Sequence, residues 1–147
     1  MNKVLKNPPI TRVASGTMTG TIKFLHDSTV HNFQSFRVLR DVYSGMTHLV
    51  GVMRQPADYE IVLLVPGDEP PTGTYLIGSN NVTAYLFVGP SPNFIALSGE
   101  IVIQNQTQTG RITGSAKFKT HQHNNLHYEV EVIFDISRTA AGAERTS

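Results

Sequence analysis

Cysteine is absent from this 147-residue chain. Disulfide frameworks, thiolate metal sites and thiol nucleophiles are therefore excluded, and redox chemistry gives no clue to compartment. Charge of one sign is lacking as well: 12 Lys+Arg face 11 Asp+Glu, a net of +1. Without a basic face or tail to displace counterions from phosphate, no nucleic-acid partner is expected. Long apolar runs are also missing. The longest, Ile61 to Pro66, is about a third of a membrane-spanning helix, so no membrane span is expected. At the start, Lys3 and Lys6 precede Pro8 and Pro9 without the apolar core of a signal peptide. The expected location is cytoplasmic, or secreted if a leader has been removed. No G-x-S-x-G, S-x-x-K, H-E-x-x-H or P-loop pattern occurs, so no catalytic constellation is visible.

A chain of this length buries roughly 70% of its unfolded surface, enough for one core without metal or disulfide staples. The organisation expected is a flexible segment over 1–12, one β domain over 13–138 and a disordered tail over 139–147, rich in small and polar residues. Between the ends, Val, Ile, Thr, Phe and Tyr recur between Gly, Pro and Asn breaks. Thr17 to Phe24 alternates strictly, with Met18, Ile22 and Phe24 on one face. His48 to Arg54 and Tyr59 to Val65 read as a hairpin whose second strand, apolar on both faces, is central. Pro66 to Gly73 is a loop. Thr74 to Ile77 and Val82 to Val88 flank Gly78-Ser79-Asn80-Asn81 and read as another hairpin. Thr29 to Tyr43 fits neither period well; it reads as strand.

In the C-terminal third the register follows from the side chains. Pairing Ile112 to Thr120 with Leu126 to Ile136 sets Phe118 against Val130, Ala116 against Val132, Gly114 against Phe134 and Ile112 against Ile136. The other face then pairs Lys119 with Glu129 and Lys117 with Glu131, each worth a few tenths of a kcal/mol. A one-residue slip would set Phe118 against a glutamate. A strand containing Ile95, Leu97, Ile101 and Ile103 precedes this pair and completes a three-stranded meander. Eight or nine strands with hairpin and meander connections and no crossover helix give an all-β fold. It is either an antiparallel sandwich or a small closed barrel.

The order Pro71-Thr72-Gly73-Thr74-Tyr75, Ser98-Gly99-Glu100-Ile101-Val102-Ile103 and Arg111-Ile112-Thr113-Gly114-Ser115-Ala116-Lys117-Phe118 covers the last half of the chain. It resembles small, functionally uncharacterised bacterial all-β domains of sandwich or calycin-like form. Ala116 stands where those domains place an aromatic. The resemblance implies an all-β fold and transfers no activity or functional residue.

Three sets of side chains carry chemistry. In the C-terminal register His121 and His127 are expected as cross-strand partners on the outer face with His123 in the loop between them, where neutral imidazoles are candidate ligands for Zn or Ni; the competing reading is a solvated polar turn. His26-Asp27 and His31 form a candidate base pair across a turn, although neighbours in a strand point apart. Tyr75 and Tyr85 are candidate ligand-binding aromatics, beside Phe87 and Phe94, with core packing as the competing role. Asn81-Val82-Thr83 and Asn105-Gln106-Thr107 match glycosylation acceptors, meaningful only outside the cytoplasm. Two functions follow. One is a non-catalytic binding module for a protein, a glycan or another copy of itself, with a homodimer expected from the near-zero charge. The other is a barrel carrying a small apolar ligand.

Overall fold

A computed structural model of the chain describes residues 13–90 and 93–138. The two ends expected to be flexible, 1–12 and 139–147, lie outside the described residues. Among the described residues ten strands follow in order: β1 (Val13–Phe24), β2 (Thr29–Gln34), β3 (Arg37–Tyr43), β4 (Met46–Met53), β5 (Tyr59–Pro66), β6 (Gly73–Leu76), β7 (Thr83–Val88), β8 (Asn93–Gln106), β9 (Arg111–Thr120) and β10 (Tyr128–Ser137). No helix of the described residues is long and apolar enough to cross a membrane.

Every pairing among the described residues is antiparallel, and eight strands close a ring in the order β1-β3-β4-β5-β7-β8-β9-β10 and back to β1. Closure is made by the two longest strands. Along one edge β1 pairs with β10 over Ser15 to Phe24; along the other it pairs with β3 at Val13 and Ala14, then with β2 from Thr19 onward. In the same way β8 pairs with β9 on one edge, and on the other with β7 at Asn93 to Ile95 and with β6 at Glu100 to Ile103. Each long strand thus passes from one sheet to the next, and β2 and β6 are the two short strands added at these corners. The closed barrel, rather than the open sandwich, is the architecture.

Both corners carry glycine in a conformation that L side chains rarely adopt: Gly16 at φ 133° and Gly99 at φ 144°. A Cβ at Gly16 would lie 1.9 Å from the carbonyl oxygen of Asp135, and one at Gly99 would lie 2.2 Å from that of Lys117. The neighbouring backbone therefore approaches too closely for any side chain, and the strand can bend there only because none is present.

The period of two then sends alternate residues inward around the whole ring. Met18 and Ile22 of β1, Leu63 of β5, Ile101 and Ile103 of β8 and Phe118 of β9 are all buried in one continuous core. Burial of each contributes roughly 1.5–3 kcal/mol. Protein side chains occupy the interior. Among the described residues, the one charged side chain that the alternation turns inward is Arg40, 5% exposed, at the end of the barrel covered by the β5–β6 loop. Its guanidinium donates to the Gly110 carbonyl at 2.9 Å and to Glu69 Oε1 at 3.2 Å. Arg138 also pairs with Glu69, and Asn105 Nδ2 donates to Glu69 and to the Pro70 carbonyl. Burial, together with the nearby Arg138, lowers the Arg40 pKa to about 10.

The C-terminal register is the one expected, from Ile112 opposite Ile136 to Lys119 opposite Glu129. The β4–β5 hairpin is also formed. Thr29 to Tyr43 is strand, but broken at Ser35-Phe36 into β2 and β3. Phe33 points inward before the break and Val38 and Arg40 after it, so the parity changes and no single period fits. The segments either side of Gly78-Ser79-Asn80-Asn81 do not form a ladder with each other. Instead β6 and β7 both run along one edge of β8, and the turn between them carries the chain around a barrel corner.

Two stability experiments follow from this architecture. Gly99→Ala is expected to lower the free energy of urea unfolding by about 2–4 kcal/mol. Gly73→Ala, where a Cβ would meet nothing within 4 Å, should change it by about 0.5 kcal/mol or less. Arg40→Met leaves the Gly110 carbonyl with the Arg138 N–H as its remaining donor and Glu69 with one partner fewer. It should cost about 2–3 kcal/mol in the same measurement, and a neutral result would show that the buried network is dispensable.

Candidate binding face on the outer sheet

In a closed barrel the inward set of each strand is used by the core, and the outward set should be polar. Along β3, β4, β5, β7 and β8 it is not. Leu39 stands opposite Val50, Val50 opposite Val62, Val62 opposite Tyr85 and Tyr85 opposite Ile95. One row of five apolar or aromatic side chains therefore crosses five strands on the outside. At about 4.8 Å per strand it is about 19 Å long. Leu39 and Val50 are each only 8% exposed, because with Val52 and Val62 they form a small core of their own against the outer surface. Ile95, at the other end, is 49% exposed.

The rows on either side set the chemistry of the rim. On one side Arg37, Val52, Glu60, Phe87 and Asn93 are cross-strand neighbours; on the other, Asp41, His48, Leu64 and Thr83. Together these rows enclose a shallow hollow of about 380 Å³, with Leu39, Val50, Val62 and Leu64 as floor and Tyr85 and Phe87 as wall. Two rim groups titrate abnormally. Burial raises the Glu60 pKa, and Arg54, 3.9 Å away, opposes the rise. Burial lowers the His48 pKa, and the Asp41 carboxylate opposes that.

Of the tyrosines singled out from the sequence, Tyr85 belongs to this face. Tyr75 does not: it is half-buried against the main core, and its hydroxyl donates to the Pro71 carbonyl. Leu39, Val50, Val62 and Ile95 carry no local sequence signal as a group, because they lie in separate strands and only the register joins them.

The histidines fall elsewhere. The β9–β10 ladder ends at Lys119 opposite Glu129, so His121 and His127 are not ladder partners. The register against β8 shifts at Lys119/Thr120, Thr120 turns inward, and its hydroxyl accepts the Tyr128 N–H at 3.0 Å in place of the next rung. The His121 N–H donates instead to the Ile95 carbonyl. His123 lies edge-on to Phe94 with centroids 6.3 Å apart. His127 Nδ1 is buried without a hydrogen-bond partner. His26 and His31 both pack on Phe24, His31 stacked at 4.1 Å, and Phe24 and Phe94 both meet Tyr128 edge-on. His31 Nδ1 is 3.4 Å from the Tyr59 hydroxyl. Asp27 accepts from the backbone and hydroxyl of Thr29, which hold its pKa below the usual carboxylate range. These imidazoles pack around an aromatic cap at one end of the barrel. Among the described residues no three His, Cys, Asp or Glu side chains are arranged to hold a metal ion. Glu129 and Glu131 face their lysines in register, and the bidentate ion pair of that hairpin is Arg111 with Asp135, at 2.9 and 2.7 Å.

Comparison with protein-family models, curated proteins and solved structures finds no match to the chain.

The His48 shift has a measurable consequence. A base whose pKa is lower folded than unfolded makes the protein lose stability as pH falls below its ordinary value near 6.5. The His48→Gln variant should therefore lose less stability than wild type between about pH 7.5 and about pH 5. Parallel denaturation at the two pH values checks this, and equal losses would contradict it.

Proposed function

We propose that the protein is a non-catalytic binding module and that the outer face centred on Val62 holds another polypeptide. The observation that carries this is the unbroken row Leu39, Val50, Val62, Tyr85, Ile95. The barrel interior does not call for it, since that is filled from the opposite faces of the same strands; beyond the Leu39–Val50 end, buried among its own neighbours, the row stays open at Val62, Tyr85 and Ile95. An apolar centre with Tyr and Phe at its side and charged groups at its rim is the anatomy of a protein-binding patch. A glycan would require hydrogen-bond partners where Leu39, Val50 and Val62 stand. A small apolar ligand inside the barrel would compete for space with the core side chains, so the outer face is the better supported location.

A phage-displayed library of linear peptides, followed by calorimetry on a selected synthetic peptide, tests the reading. Binding should weaken at least about ten-fold in Val62→Asp, which places a charge in the middle of the apolar row. It should be unchanged in Ile133→Asp, which alters an exposed apolar residue on β10, outside the row. Failure to select any binder, or binders indifferent to Val62→Asp, would contradict it.

A further inference from the structure

We infer that the polypeptide held by this face is a second copy of the chain, docked about a two-fold axis running along the apolar row; the inference rests on the reading just given. The argument is charge complementarity. Two like faces packed together must be related by an axis lying in the plane between them, and contacts across it are reciprocal. If that axis follows the row Leu39, Val50, Val62, Tyr85, Ile95, each apolar row packs against its own copy. The rim on one side of the first copy then lies over the opposite rim of the second. Arg37 and Asp41 are both on β3, two residues to either side of Leu39, on opposite rims. The axis therefore sets Arg37 over Asp41 of the second copy, and Asp41 under its Arg37.

One favourable charge contact is made twice, and the chain supplies both halves. Arg37 is exposed and Asp41 half-buried, so the pair lies where a rim contact would exclude water from the Leu39–Val50 end. Along the rest of the rim Val52 meets His48, Glu60 meets Leu64 and Phe87 meets Thr83, none of which sets like charges together. Packed sheets of this kind stand about 10 Å apart with strands within about 30° of one another, a spacing that Val, Leu and Tyr side chains from two faces fill. With only three short rows on each copy, the contact is at the small end of specific interfaces, and dissociation in the micromolar range is expected.

Sedimentation velocity of the full chain over about 1–300 µM, a span chosen to bracket that range, should show a monomer–dimer equilibrium. Val62→Asp should leave a monomer throughout. Arg37→Asp and Asp41→Arg each place like charges together twice, and each should weaken the dimer at least about ten-fold. Combining them in one chain restores both contacts with the signs exchanged, and the double variant should return to within about three-fold of wild type. Far-ultraviolet circular dichroism keeps folding separate from association, since both residues lie on the rim outside the core. A wild-type monomer at every concentration would overturn the proposal, as would a double variant no stronger than the singles. Peptides that bind the face of a strictly monomeric chain would overturn the second copy alone and leave the polypeptide-binding reading standing. A face that binds neither would remove both.

Discussion

Ring closure is the constraint on which the rest depends. Two strands, β1 and β8, are long enough to serve both sheets, and each can turn its corner because a glycine sits where the next strand's carbonyl comes within 2.2 Å of the missing Cβ. Once the ring is closed, the alternation of side chains leaves no freedom: every strand has an inside and an outside, and one residue of slip would exchange them. That strictness gives the outer row its meaning. In an open sheet, apolar residues on the second face could be covered by another layer of the same chain. In a closed barrel no second layer of the described residues covers them, and Val62, Tyr85 and Ile95 stay partly or largely exposed.

The two ends of the barrel are finished differently. One is capped by rings, with Phe24, Tyr59, Phe94 and Tyr128 bringing His26, His31 and His123 against them edge-on or stacked. The other is closed by the β5–β6 loop, where Pro70 is buried and Glu69 collects Arg40, Arg138 and Asn105. An inward arginine is costly to bury and tolerable only with its hydrogen bonds made, which ties that loop to β3. Both ends are built from the chain's own side chains, and this directs attention to the outer wall.

How much of this could be read in the sequence depends on whether the signal was local. The β9–β10 register was legible because Phe118, Ala116 and Ile112 demanded apolar partners while Lys117 and Lys119 demanded acidic ones, and a single offset met both. The same offset failed two residues further on, where the shift at Thr120 ended the ladder and parted His121 from His127. The Gly78-Ser79-Asn80-Asn81 turn was visible, but not that β8 would claim both flanking strands. Between Phe33 and Val38 the alternation skipped a step, and a skipped step looks the same as no pattern. Tyr85 drew notice by its chemistry, whereas Leu39, Val50 and Val62 looked like ordinary strand residues. Only a ladder across five strands shows that they are neighbours on the wrong side.

The central claim is that this outer row is covered by contact with a second copy of the chain. Methyl signals of Leu39, Val50, Val62 and Ile95, read by nuclear magnetic resonance in the presence of a soluble nitroxide, test it residue by residue. At low protein concentration all should be broadened in proportion to their exposure. At high concentration those of the row should be protected, while Val42 and Ile133, exposed outside the row, stay as accessible as before. Broadening of the row that does not change with concentration would contradict the account.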